Sequence, residues 1–273
     1  MKKFLTRAIT GGVYVALIIT SLLIESPILF LALFSAFIIQ GIWEFDSMTG
    51  KGKINPFLKV LDIFGGITMF YSFAIAVNYP EFGLKMAIPY LAYIVVRNII
   101  QLYIKSDNVL ESWAYSMMSQ VFVALPLSLI NIIYTTINPL MLLAIFLFIW
   151  LNDTGAYCVG SLIGKHRLFE RISPKKSWEG FWGGLILCIV TAFAIHTWGN
   201  DIFKGPNLYG WIGFSILVSI LSTYGDLCES LIKRSLGVKD SGNILPGHGG
   251  VLDRIDSLLL VAPAALAFLL CIQ

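Results

Sequence analysis

Pro139-Leu140-Met141-Leu142-Leu143-Ala144-Ile145-Phe146-Leu147-Phe148-Ile149-Trp150-Leu151 is an unbroken apolar run. A buried strand ends after about 4–8 residues, so a run of this length reads as a helix. With its flanks it fills residues 138–158, close to the roughly 20 mostly apolar residues that carry a helix across a bilayer. Asn138 and Pro139 open it as turn formers, and the polar Asn152-Asp153-Thr154 group lies at its far end.

Working outward, segments of the same kind recur at 8–24, 27–45, 57–77, 82–104, 113–134, 180–198, 209–232 and 255–272. Their separators are short and carry turn formers, among them Glu25-Ser26-Pro27 and Asn78-Tyr79-Pro80. The runs are too long for barrel strands and lack strict alternation. Helices are therefore the way this chain satisfies its backbone N–H and C=O groups in lipid. The expected fold class is an all-α integral membrane protein of about nine transmembrane helices. Composition agrees: of 273 residues 57% are hydrophobic and 13% charged, against roughly 25% charged in an average soluble domain. Mean hydropathy is +0.81. The net charge of +3 is too small to argue for a nucleic-acid partner.

Charge placement tests the assignment independently. With the N-terminus in the cytoplasm and nine crossings, the C-terminus lies outside. Of the 19 Lys and Arg, all except Lys85 and Lys204 then face inward, which is the positive-inside pattern. Lys2, Lys3 and Arg7 precede the first apolar stretch as in a signal peptide. No small-x-small cleavage site follows Leu23, however, so that stretch reads as a first membrane helix. Cys158, Cys188, Cys228 and Cys271 lie in or beside apolar runs and form no Cys-x-x-Cys pair, which excludes a zinc or dithiol motif.

Two regions differ in character. Residues 1–137, five helices with brief loops, show no cluster of reactive groups and read as a scaffold. Residues 138–273, four helices with cytoplasmic loops at about 159–179 and 233–254, hold nearly all the unusual chemistry. Asp226 is an ionisable residue within a span and a functional candidate by default. On a helix, Glu229, Ser230 and Lys233 share its face; the plainer reading is a structural Asp226–Lys233 pair. His248-Gly249-Gly250 precedes the last span, where glycines can take positive φ and present N–H groups to an anion. Asp253 and Asp256 fall on one face of the helix that follows. Asp253 alone reads as a helix cap, but paired carboxylates beside phosphate-binding features suit a hard cation, Mg²⁺ above all. Lys233, Arg234, Lys239 and Asp240 lie between the two clusters, and their basic members could clamp phosphate oxygens. Gly160-Ser161-Leu162-Ile163-Gly164-Lys165-His166 is one residue short of a P-loop; Gly160 and Gly164 read instead as a helix-packing pair.

Taken together, Ser230-x2-Lys233-Arg234-x4-Lys239-Asp240-x7-His248-Gly249-Gly250-x2-Asp253-Arg254-x-Asp256 closely resembles the signature of the phosphatidate cytidylyltransferase family. The likeness extends to much of the C-terminal half. The N-terminal half agrees only in being hydrophobic and multi-spanning. Two further segments fit the resemblance: Asn152-Asp153 within the sixth span, and Ser173-Pro174-Lys175-Lys176-Ser177 before the seventh. The resemblance implies an enzyme joining CTP to phosphatidate, with CDP-diacylglycerol and pyrophosphate as products, in phospholipid biosynthesis. It implies Mg²⁺ held by Asp226, Asp253 and Asp256, with a second cation left open. Asp226, Asp253, Lys233, Arg254 and His248 would be the catalytic set. Asn152, Asp153, Ser173, Lys175, Lys176, Ser177, Ser230, Arg234, Lys239, Asp240, Gly249 and Gly250 would bind substrates. The setting implied is the inner membrane of a bacterial cell, with the site on the cytoplasmic side; a homo-oligomer is left open.

Three rivals are weaker. A polyprenol kinase would also need metal and basic residues. A CDP-alcohol phosphotransferase would need an Asp-Gly-x-x-Ala-Arg run that is absent. A transporter would show acidic groups at mid-membrane and paired broken helices.

Overall fold

The computed structural model describes residues 2–50, 54–244 and 249–272, with side chains from residue 9 onward. Lys51 and His248 lie outside the described residues, as do the side chains of Lys2, Lys3 and Arg7. The helical segments run α1 (Lys2–Leu23), α2 (Pro27–Thr49), α3 (Pro56–Asn78), α4 (Pro80–Gln101), α5 (Val109–Ile137), α6 (Pro139–Ile163), α7 (Trp178–Phe203), α8 (Leu208–Ser235) and α9 (Leu252–Ile272). Among the described residues, 8 helices, α2 to α9, are long and apolar enough to cross a membrane; the apolar part of α1 is the shorter Ile9–Leu23. The chain is an all-α membrane protein. One feature outside the spans was not expected: β1 (Arg167–Phe169) and β2 (Ser173–Ser177) pair as an antiparallel hairpin, Arg167 opposite Ser177 and Phe169 opposite Ser173.

Helix starts follow from local chemistry. Asn138 caps α6 by accepting from Leu140 N at 2.8 Å, with Pro139 in the first turn. Asn55 and Pro56 repeat the device at α3, where Asn55 accepts from Phe57 N at 2.9 Å. Ser177 caps α7 and Asn207 caps α8 through the amides of Gly180 and Gly210. The side-chain oxygen satisfies a donor that has no intrahelical acceptor, and proline at that point has no N–H to lose. In α5 the π-helical turn Gln120–Ala124 lies just before Pro126, whose missing N–H would otherwise have bonded to Phe122 O.

Large apolar side chains face outward at helical spacing, as lipid requires: Ile88, Leu91, Val95 and Ile99 on α4, and Ile186, Val190 and Phe193 on α7. Inward, aromatic packing ties the N-terminal helices together, with Phe30 of α2 stacked on Tyr134 of α5 at 4.0 Å, and joins the halves where Phe34 of α2 meets Phe146 of α6 at 6.3 Å. Helices α6 to α9 pack as one group and α2 to α5 as another, with α9 touching both α5 and α2. The closest approach is between α6 and α7: a Cβ at Gly180 would stand 2.7 Å from Ala156 O and 3.3 Å from the Gly160 Cα. Gly160 therefore packs between helices as expected. Gly164, by contrast, ends α6 and faces the Ser177 hydroxyl.

The N-terminal half departs from its expected plainness. Asp62 of α3 forms a buried ion pair with Arg97 of α4, Nε to Oδ1 at 2.9 Å, with side-chain exposures of 1% for Arg97 and 2% for Asp62. Tyr93 Oη and Ser116 Oγ donate to the same carboxylate at 2.9 and 2.7 Å. Gln101 and Ser112 accept from the Arg97 guanidinium. These partners lie 23 to 54 positions apart in pairs such as Tyr93–Ser116 and Asp62–Ser116, so no local motif announces them. Each group is satisfied by another, which is how buried charge is tolerated.

Candidate active site

Asp226 stands on α8, above the basic end that carries Lys233 and Arg234. Its partner is not Lys233 but Lys176, brought in by the hairpin that feeds α7: Lys176 Nζ lies 2.6 Å from Asp226 Oδ2 and donates to Thr223 O at 3.4 Å. Ser230, four residues on, donates to the other Asp226 oxygen at 3.1 Å. Lys233 turns instead toward α9. Its ammonium sits between Glu229 and Asp253, 2.6 Å from Asp253 Oδ1, with all three side chains nearly sealed from solvent.

Asp253 lies in the first turn of α9 and reaches back, accepting from Gly250 N at 2.8 Å and from Ser241 N at 3.2 and 3.1 Å. The capping character expected of it is present, and the Lys233 bond adds charge to it. Asp256, one turn on, accepts at 2.6 Å from Ser257 N and from no other donor among the described residues. Arg254 is exposed, while its carbonyl takes the Tyr14 hydroxyl of α1 at 3.0 Å. Gly249 has φ of 82°, the positive-φ backbone expected of it; Gly250 does not. The Gly250 amide is directed at Asp253 and so is already engaged.

Two cavities meet here. The first, about 500 Å³, is lined by Asn152, Asp153, Arg167, Lys175, Lys176, Ser177 and Asp226 among others. The second, about 450 Å³, is lined by Asp153, Asp226, Lys233, Asp240, Asp253, Arg254 and Asp256, with Tyr14 of α1 on its wall. Asp153 and Asp226 belong to both, so the cavities adjoin along α6 and α8. Cations dominate the first rim. Facing the second are the carboxylates of Asp153, Asp226, Asp240, Asp253 and Asp256 against the cations of Lys233 and Arg254.

The other sequence-predicted residues take varied places. Asn152 is buried and spent between helices, its amide donating to Thr223 Oγ1 at 3.2 Å and its oxygen accepting from Ser219 at 2.7 Å. Ser177 lines the first cavity while its hydroxyl caps α7. Ser173 opens β2 away from both cavity walls. Arg234 donates to Val238 O at 3.0 Å and ties off the end of α8; Lys239 is exposed. Sequence reading missed Arg167 and Thr223 on the first wall and Glu44 of α2, which touches the loop holding Asp253. Glu44 carried a usable signal, being ionisable within a span.

Among the described residues, no three His, Cys, Asp or Glu side chains already stand close enough to enclose a metal ion. The donor chemistry nonetheless suits a hard cation. Asp256 and Asp153 line the second cavity and, among the described residues, form no direct ion pair, and carboxylates outnumber cations around it.

A family model described as the cytidylyltransferase family matches residues 5–272. A curated phosphatidate cytidylyltransferase of Haemophilus influenzae is 33% identical over 278 aligned positions, covering 94% of this chain and 95% of its own. One of Staphylococcus aureus is 48% identical over 120 positions, 43% of this chain and 44% of its own. A third, of Staphylococcus saprophyticus, is 42% identical over 166 positions, covering 58% and 62%.

Proposed function

The chain belongs to the cytidylyltransferase family, and we infer that it transfers the cytidylyl group of CTP to phosphatidate, giving CDP-diacylglycerol and pyrophosphate. It is a membrane nucleotidyltransferase of phospholipid biosynthesis. The observation that carries the reading is the pair of adjoining cavities with Asp153 and Asp226 in common, cations on both rims, among helices apolar enough to lie in lipid. A membrane-borne acceptor and a water-soluble nucleotide, both polyanions, need such a meeting place.

The reaction is a direct displacement. A phosphate oxygen of phosphatidate attacks the α-phosphorus of CTP, and the bond to the bridging oxygen of the β-phosphate breaks. Pyrophosphate leaves with that electron pair. The acceptor oxygen is already anionic, so no enzymic nucleophile is required. What the protein must supply is relief from repulsion between two polyanions. Lys175, Lys176 and Arg167 would do so in the first cavity, Lys233 and Arg254 in the second. Lys176, already against Asp226, stands at the junction. Mg²⁺ is the cation the carboxylates suit: Asp226 and Asp256, with Asp153 beside them, would hold it, and when bound it would supply positive charge against the developing pyrophosphate. Asp253 would join only on releasing Lys233 or a backbone amide. His248, expected to contact phosphate, lies outside the described residues.

Residues 138–273 carry this chemistry, and the N-terminal helices brace it. The charge asymmetry of the loops supports a cytoplasmic N-terminus, a site open to the cytoplasm and, given the bacterial relatives, an inner-membrane location. Purified protein given labelled CTP, phosphatidate and Mg²⁺ forms a lipid-extractable cytidine product. Absence of that product in protein that is folded and monodisperse refutes the reading.

A further inference from the structure

Glu44 lies on α2, yet its carboxylate reaches the other half of the molecule. It is 3% exposed and takes four hydrogen bonds. Gln40 Nε2 and Val251 N donate to Oε1 at 2.9 and 3.0 Å; Leu252 N and Ser241 Oγ donate to Oε2 at 2.9 and 3.0 Å. Three of these donors come from the segment 241–252, 197 to 208 positions along the chain. The Leu252 amide is the first of α9 and that of Val251 immediately precedes it, so neither has an acceptor within that helix. A carboxylate supplied by α2 satisfies both and sits in the favourable field of the helix N-terminus.

The same segment holds Asp253. Ser241 gives its hydroxyl to Glu44 and its amide to Asp253, so one residue ties the two carboxylates together. Two glycines corroborate this wrap. A Cβ at Gly250 would stand 2.2 Å from Glu44 Oε2, and one at Gly242 would stand 2.8 Å from Glu44 Oε1. A side chain at either position would displace the Glu44 carboxylate from the place its four donors hold it. Gly250, which in sequence reads as a phosphate contact, has this second reason to be glycine.

We propose that Glu44 is a positioning residue for cytidylyl transfer: it fixes Ser241, Val251 and Leu252, and with them the first turn of α9, and so sets where Asp253, Arg254 and Asp256 stand. The proposal rests on the activity inferred above, but one arm of its test does not. Glu44→Gln keeps the shape and turns one acceptor oxygen into an NH₂ facing donors. It lowers kcat by about tenfold or more, with KM for CTP changed by less than about threefold. Ser241→Ala lowers kcat by about two- to fivefold, and the double variant is no slower than Glu44→Gln alone, because the hydroxyl acts through the same carboxylate. In hydrogen exchange without substrates, the amides of Ser241, Gly250, Val251 and Leu252 exchange about tenfold faster in Glu44→Gln and measurably faster in Ser241→Ala, while α3 to α5 are unchanged. Wild-type kcat in Glu44→Gln, multiplying effects in the double variant, or unaltered exchange of Ser241, Gly250, Val251 and Leu252 overturns the proposal. Should Glu44→Gln fail to insert, the exchange and rate of Ser241→Ala decide by the same criteria. Should the wild type make no cytidine lipid, the activity reading fails and the exchange arm still rules on Glu44.

Discussion

Lys233→Ala separates structural from chemical roles at the heart of the site. The Lys233 ammonium lies between Glu229 and Asp253, with side-chain exposures of 8% for Lys233, 0% for Glu229 and 7% for Asp253. Truncating it leaves Glu229 sealed in the bundle without a counter-charge and facing a second carboxylate. Removing one member of a buried pair costs about 3–5 kcal/mol, most of it the penalty of the charge left behind. At roughly 2–4 °C per kcal/mol for a chain of this size, the apparent Tm in detergent falls by about 6–20 °C at a fixed scan rate. Glu229→Gln/Lys233→Met removes both charges together. Asp253 keeps the amides of Ser241 and Gly250, so most of the lost Tm returns. Activity does not return, because one of the two cations facing the second cavity is gone. A Lys233→Ala protein within about 2 °C of wild type, or a double variant no more stable than the single one, would refute the view that this triad clamps α8 to α9.

Asp226→Asn and Asp256→Asn each abolish cytidylyl transfer while the protein still inserts and stays monodisperse; wild-type rates in both, across a Mg²⁺ titration, exclude them as cation holders. Lys175→Ala and Arg254→Ala each lower kcat/KM by more than about tenfold, the loss of a charge-assisted phosphate contact of roughly 1.5–3 kcal/mol. Lys85→Ala, on the opposite side of the membrane in the expected topology, changes it by less than about twofold, and equal damage from all three would mean bulk electrostatics is being measured. Single cysteines at the exposed positions Arg171 and Lys239 are blocked by an impermeant reagent only from the cytoplasmic side, and one at Asp201 only from outside; labelling of position 239 from outside overturns the orientation.

What could be read in the sequence was local. Each membrane helix announces itself because lipid demands about 20 apolar residues in succession, and Asn-Pro or Ser caps mark where α3, α6 and α7 begin. Asp226, Ser230 and Lys233 were legible as one helix face because their spacing is fixed by the helix itself. Their partners were not. Lys176 meets Asp226 across 50 positions, from the second strand of a short hairpin that propensity does not reveal. Glu44 meets Leu252 across 208 positions, and Asp62 meets Arg97 across 35. Such pairs are set by which helices pack together, and apolar runs of similar composition carry no label for their neighbours. The Lys59 ammonium shows the same limit: in sequence one more inner-face charge, it is buried, donating to Ser47 at 2.9 Å and lying 5.1 Å from the Trp43 ring.

In the reaction inferred for this chain the cytidylyl group, and not the terminal phosphoryl group, moves to the lipid. CTP labelled with phosphorus-32 at the α position, and separately at the γ position, tests it in one extraction. Cytidylyl transfer predicts α-label in the lipid phase, matched by release of γ-label as pyrophosphate. Label from the γ position in the lipid, with none from the α position, would mean a lipid kinase and would contradict the claim.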